Sequence, residues 1–176
     1  IGYVYQEMVK SSQMRYYRKM ANTDLMTQLG SRTAFEERVR QSPVLTGSCA
    51  CVVLDINNLK QINDTMGHSA GDELTCTAAQ CILSVFDSLG RCYRMGGDEF
   101  VVLLQDIAQP EVDKALGELE RSIGRRNLTR SFPLSVAVGY AMGQDATIEQ
   151  MFRQADANMY QNKTRMKCET VTMARA

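Results

Sequence analysis

The stretch from Arg91 to Leu104, RCYRMGGDEFVVLL, decides the fold. It reads as two strands, Arg91 to Met95 and Glu99 to Leu104, around a Gly96-Gly97-Asp98 turn. Adjacent glycines tolerate positive φ, so the pattern predicts a hairpin. Moving outward, Cys49 to Ile56 (CACVVLDI) is a short apolar, β-branched run that ends beside an acid and predicts a buried strand. Leu134 to Ala141 (LSVAVGYA) predicts another core strand, and Cys168 to Met173 a last one.

Helical segments fill the gaps. Residues 1–22 carry Ile1, Val4, Tyr5, Met8, Val9, Tyr16, Tyr17 and Met20 at partly helical spacing. Either this helix lies on the domain or it is a signalling helix that pairs with a second copy; Ser11, Ser12 and Gln13 interrupt the heptad. Asn22-Thr23-Asp24 offers capping chemistry, and Ser31 or Thr33 opens a helix through Arg40. Pro43 and Gly47 predict a loop. A short helix or turn over 57–64, a longer helix over Ser69 to Phe86, and helices over Pro110 to Arg126 and Thr147 to Lys163 complete the pattern. Thr147 would cap the last, with Met151, Phe152, Ala155 and Met159 facing inward. Strands mixed with crossover helices predict an α/β fold: a mainly antiparallel sheet flanked by helices.

Composition narrows the function classes. A length of 176 residues suits one full core, and zero formal net charge lacks the basic excess of general nucleic-acid or membrane binders. No apolar run reaches the roughly 20 residues that cross a bilayer, and no secretory leader is visible. The chain opens with Ile1, which predicts a fragment or processed product of a cytoplasmic protein, compatible with a parent that carries its own membrane anchor. The six cysteines form no CxxC pair, and His68 is the single histidine, so neither a zinc site nor a disulfide framework is expected; the cysteines read as reduced core or near-core thiols.

Two acidic positions carry the chemistry. Asp55 ends an otherwise uncharged strand, where a carboxylate is costly unless paired or metal-bound. It could equally cap the next helix. Gly96-Gly97-Asp98-Glu99 allows close backbone approach to a ligand, or could be a plain exposed turn. Asp55 and Asp98 come together only if strand 49–56 lies beside the hairpin. Together they make an oxygen-rich pair suited to Mg²⁺ or Mn²⁺, and paired metals serve in-line displacement at phosphorus.

RMGGDEFVVLL matches the signature of the GGDEF family of diguanylate cyclases. DINNLKQINDTMGHSAGDEL resembles that family's DxDxFKxINDxxGHxxGDxxL, and DLMTQLGSRTAFEE its DxLTGLxNRxxFxE. PLSVAVGYA resembles LTVSIGVA, and ADANMYQNK resembles ADxALYxAK. The resemblance implies an N-terminal linker helix over 1–22 and a catalytic domain over 23–176, with the fold shared by nucleotide cyclases and polymerase palms. It implies condensation of two GTP into cyclic di-GMP by a homodimer, permanent or transient, with two Mg²⁺ or Mn²⁺ per site. Asp55, Asp98, Glu99 and the Ile56 carbonyl would hold the metals. Asp98 would also take the proton of the attacking hydroxyl. Asn63 and Asp72 would read guanine. The Asn58 and Leu59 amides, Gly96, Gly97, Lys163 and Lys167 would contact the nucleotide, and Lys60 would neutralise developing charge. Outside the matched blocks, Lys60 and Lys163 read equally as solvated helix charges, and Asn63 and Asp72 as caps. His68 reads as structural. No nucleic acid or membrane contact is implied.

Some positions depart from the family pattern. Asn57 stands where Asp is usual, Leu59 where Phe is, and Gln28 and Ser31 replace Gly and Asn. Lys167 replaces Arg and cannot form a bidentate fork on phosphate, while Met166 replaces Gly. The RxxD inhibitory site of many relatives falls on Asp87-Ser88-Leu89-Gly90, which has neither residue, so no inhibitory site is expected. Two rival functions remain: a silent module that binds GTP or a partner, and a cyclase of relaxed base choice.

Overall fold

The structure is a computed structural model that describes residues 2–173. Side chains of 2–6, 15, 18 and 169–173 are not described, so the expected apolar positions Ile1, Val4 and Tyr5 lie outside the described residues. In chain order the elements are α1 (Gly2–Asn22), α2 (Arg32–Gln41), β1 (Val44–Ile56), α3 (Leu59–Met66), α4 (His68–Phe86), β2 (Gly90–Arg94), β3 (Glu99–Gln105), α5 (Gln109–Asn127), β4 (Val136–Thr147) and α6 (Ile148–Met173). The four strands form one sheet in the order β2-β3-β1-β4, and every pairing is antiparallel.

The period-2 alternation of β1 sorts the core into two layers. Ala50, Val52, Leu54 and Ile56 pack with Leu74, Ile82 and Phe86 of α4 and Val112 and Leu119 of α5. Cys49, Cys51 and Val53 face the other way, against Phe35 of α2 and Met151, Ala155 and Met159 of α6. Every one of these β1 side chains is fully buried. At about 1.5–3 kcal/mol for each large apolar side chain, the two layers supply the main driving force for folding.

Local chemistry sets the helix starts. Ser31 accepts the Ala34 N–H at 3.2 Å and opens α2. Glu111 accepts the Ala108 N–H at 2.9 Å at the head of α5, where Pro110 stands in the first turn. Thr147 accepts the Gln150 N–H at 3.3 Å and caps α6. No disulfide joins the described cysteines; Cys49, Cys51 and Cys81 are buried, while Cys168 is exposed rather than near-core.

Three expectations need correction. The loop predicted around Pro43 and Gly47 is mostly strand, because β4 runs on to Thr147 and pairs with β1 back to Val44. The register shifts between Leu45 and Ser48, where Gly47 takes φ +75°. The hairpin turn at Gly96-Gly97 uses no positive φ. Third, Cys168–Met173 is helix, not strand. A strand there would need a free sheet edge, and the outer edge of β4 is already engaged by α6. Asn162 Oδ1 accepts the Val138 N–H at 3.2 Å, and Asn158 Nδ2 donates to the Tyr140 carbonyl at 2.9 Å. Continuing the helix satisfies the backbone locally without displacing either bond.

Helix α1 packs chiefly on α2 and leaves Met8, Met14, Tyr16 and Tyr17 exposed.

Candidate active site

Strand parity places the acids. Asp55 follows Val53 in step with Cys49 and Cys51, so it points to the α2/α6 side of the sheet. Glu99 lies directly opposite Asp55 in the β1–β3 register. The Ile56 N–H donates to the Asp98 carbonyl at 2.9 Å, extending the ladder to the hairpin tip. The juxtaposition of Asp55 with Asp98 and Glu99 therefore follows from strand 49–56 lying beside the hairpin.

Arg94 holds the tip in shape. Its guanidinium donates to the carbonyls of Gly96 at 3.0 Å and Gly97 at 3.1 Å, and pairs with Asp24 at 3.2 Å. Asp24 also accepts the Thr27 N–H at 2.9 Å and hydroxyl at 2.6 Å, which folds residues 24–27 into a turn. A Cβ added at Gly96 or Gly97 would meet nothing within 4 Å.

Electrostatically the site is frustrated. Burial pushes the Asp55 carboxyl above its usual range, Lys163 at 2.5 Å opposes this, and Asp98 pushes it up further. The Asp55 and Lys163 side chains are only 13% and 22% exposed, so this pair is weakly screened. Burial also raises Glu99, followed by the negative charges of Asp156, Asp55 and Asp98, with Arg32 opposing. Carboxylates raised by burial and mutual repulsion are a donor set that a hard cation would relieve. Among the described residues no three His, Cys, Asp or Glu side chains form a metal cage.

Next to the acids, the chain leaves the sheet and starts α3. Asn58 takes a left-handed conformation (φ 59°) and makes no side-chain cap, so the first amides of α3 have no capping partner from it. Leu59 is buried and Lys60 exposed. Asn63 is half-buried, and its Oδ1 is buried without a hydrogen-bond partner. A Cβ at Gly71 would collide with that oxygen, so glycine lets α4 approach α3 here. Asp72, next along α4, is exposed, as is Lys167 on α6. The structure thus brings Asp55, Asp98, Glu99 and Lys163 together, with the exposed Lys167 close enough for its charge to pull the Asp55 carboxyl down; Lys60 and Asp72 face solvent. His68 begins α4 and is exposed.

Two contacts were not legible in the sequence. One is the Asp24–Arg94 pair, which spans 70 residues; Asp24 signalled only a local cap. The other is Asn57, whose Nδ2 donates to Ser135 Oγ at 2.9 Å. Its departure from the family's Asp was the available signal.

Residues 21–169 match the family described as "Diguanylate cyclase, GGDEF domain". The chain is 31% identical over 167 residues to the diguanylate cyclase DgcS of Shewanella oneidensis, covering 90% of this chain and 55% of that protein. It is 31% identical over 156 residues to a diguanylate cyclase of Vibrio cholerae, covering 82% of this chain and 47% of that protein. The chain thus spans about half the length of these curated relatives. Among solved structures it resembles the coiled coil and GGDEF domain of DgcB from Caulobacter crescentus in complex with c-di-GMP, with a TM-score of 0.75 and 25% identity over 93% of both chains. The GGDEF domain of DgcB alone, also with c-di-GMP, gives 0.71 and 27% over 82% of this chain and 91% of that one. With the match covering most of its length, the chain belongs to the GGDEF-domain family of diguanylate cyclases.

Proposed function

We propose that two copies of this domain, each holding one GTP, condense the pair into cyclic di-GMP with release of two pyrophosphates. The observation that carries this reading is the convergence of Asp55, Asp98 and Glu99 beside Lys163 at one end of the sheet. Asp55, Asp98, Glu99 and the Ile56 carbonyl would hold two Mg²⁺ or Mn²⁺ ions. When bound, these would neutralise the triphosphate and lower the pKa of the attacking hydroxyl.

The chain's own groups do the rest. The Asn58 and Leu59 amides at the head of α3 receive phosphate oxygens. Lys60, Lys163 and Lys167 balance the charge of the triphosphate. Lys163 already lies at 2.5 Å from Asp55, so it reaches the acids from α6. The Asn63 Oδ1, buried without a partner against Gly71, would have to turn outward to accept the N1–H and N2–H donors of guanine, with Asp72 alongside; adenine offers no such donors there. The 3′-oxygen of one nucleotide attacks the α-phosphorus of the other. Asp98 takes the hydroxyl proton, the new P–O bond forms, and the bond to the bridging oxygen breaks as pyrophosphate leaves. A second such attack closes the ring. The exposed apolar residues of α1 supply a surface on which two copies could pair.

The test is incubation of the purified chain with GTP and Mg²⁺ at high protein concentration, with product identified by mass. Cyclic di-GMP from the parent and none from Asp98→Asn is expected. GTP bound without turnover, even in a forced dimer, would favour a silent receptor instead. Asp72→Ser should admit ATP; unchanged base choice would remove Asp72 from guanine recognition. Added cyclic di-GMP should not inhibit through the exposed Asp87-Ser88-Leu89 turn.

A further inference from the structure

Asn57 ties together three segments that carry the site. Its N–H donates to the Ser135 carbonyl at 2.8 Å, one step beyond the last β1–β4 pair, Ile56–Val136. Its side-chain Nδ2 donates to Ser135 Oγ at 2.9 Å and lies 3.6 Å from Met166 Sδ. The residue is only 8% exposed. Before it stands Ile56, and after it Asn58, held left-handed with no side-chain cap. The peptide plane that carries the Ile56 carbonyl is held by the Asn57 N–H bond to Ser135, and the side-chain contacts brace that bond from Ser135 and from α6. Its main partner is firm, because Leu134 is pinned both ways by Asn127, through Nδ2 to carbonyl at 2.9 Å and N–H to Oδ1 at 2.8 Å. Met166 sits on α6 between Lys163 and Lys167.

The amide is chemically specific. A thioether accepts but cannot donate, so an ionised Asp at 57 would lose the Met166 contact and add a buried charge near Asp55. Alanine would lose both side-chain bonds.

We propose that Asn57 is a positioning residue: its side-chain amide braces the backbone bond to Ser135 that orients the Ile56 carbonyl, and so sets the entry to α3 against the lysine-bearing turn of α6. This rests on the metal and phosphate reading given above. Partners that orient a ligand in this way typically contribute 10–100-fold in metal affinity.

The test is Mn²⁺ binding to the nucleotide-free chain, followed by electron paramagnetic resonance of the free ion, together with KM and kcat for GTP. Asn57→Ala should weaken Mn²⁺ by about tenfold and raise KM more than it lowers kcat. Ser135→Ala should act in the same direction and more weakly, while Ser135→Thr, which keeps the hydroxyl, should restore parental behaviour. If Asn57→Ala does not fold, the two Ser135 variants decide. Parental Mn²⁺ affinity and KM in Asn57→Ala or Ser135→Ala, with only a lower melting temperature, would overturn the positioning role. Asp55→Asn separates the two readings. If the parent shows no Mn²⁺ binding that Asp55→Asn removes, the metal reading fails and this role with it; Asp55-dependent binding untouched by Asn57→Ala sinks the positioning role alone.

Discussion

Both ends of strand β1 lie among aspartates, its own Asp55 at one end and Asp145 of β4 with Asp106 after β3 at the other, and the two ends use them differently. At the far end, Asp145 Oδ1 accepts the Gly47 N–H at 2.8 Å, and Asp106 lies beside the same glycine. Both aspartates are exposed and both take left-handed backbone, with φ 49° for Asp145 inside β4 and 55° for Asp106 just after β3. Asp145 serves the backbone. At the site end, Asp55 and Glu99 are half-buried, face each other across the ladder, and are pushed up by burial and by neighbouring negative charge. Acid count does not separate the two ends. Burial and crowding among like charges do, and they mark the end that would gain from a cation.

The largest expected contrast is catalytic. Asp98→Asn should reduce GTP turnover by at least about 10²–10³-fold, the scale of losing one directly acting group. Asp145→Asn at the other end should leave turnover unchanged. Equal losses in a steady-state assay would erase the distinction.

Stability should run the opposite way. Glu99→Gln removes a buried, repelled carboxylate, so the metal-free chain should melt higher, by about 2–4 °C if the relief is near 1 kcal/mol. The pH dependence carries the sign. The folded chain holds the Glu99 proton more tightly than the unfolded chain, whose value is near 4.5. Glu99 thus contributes stability below that value, lost as pH rises through the raised folded value. Asp24 does the reverse. Burial works against it, yet the Thr27 bonds and Arg94 outweigh burial and hold it below 3.8. Its contribution is present above 3.8 and is lost as pH falls through the folded value. Melting temperatures across acid pH should show Asp24→Asn flattening the acid limb and Glu99→Gln flattening the decline above it. Identical curves for the two variants would refute the assignment.

Smaller effects belong to the sheet edge and the far turns. Asn158→Ala and Asn162→Ala should each lower stability by about 1 kcal/mol in chemical denaturation and expose the β4 edge to self-association, visible in light scattering. Asp106→Gly should change stability by less than about 1 kcal/mol and leave turnover intact, since glycine accepts its positive φ.

Much of this architecture is legible in the residues. The apolar run 49–56 and the hairpin announce the central pairing, and once β1 lies beside β3 the approach of Asp55 to Glu99 follows from register alone. Ser31, Thr147 and Pro110 mark helix starts because capping is local chemistry. Local reading fails where tertiary pairing decides. Thr46-Gly47-Ser48 lacks a strand's apolar pattern and is drawn into β1 by β4. Cys168–Met173, partly β-branched, has the composition of a strand, yet Asn158 and Asn162 hold the edge it would need. The Asp24–Arg94 pair and the Asn57–Ser135 clamp join residues 70 and 78 positions apart, and no window of sequence contains both partners.

Gly96 and Gly97 illustrate a different kind of constraint. Neither uses positive φ, neither would clash as alanine, and Arg94 already holds both carbonyls. Folding therefore places little selective pressure on them. A survey of substitutions scored by foldedness should pass over this pair, while the same survey scored by turnover should single it out. On the proposed nucleotide-binding role, the information stored at these positions describes the shape of a visitor rather than the shape of the chain.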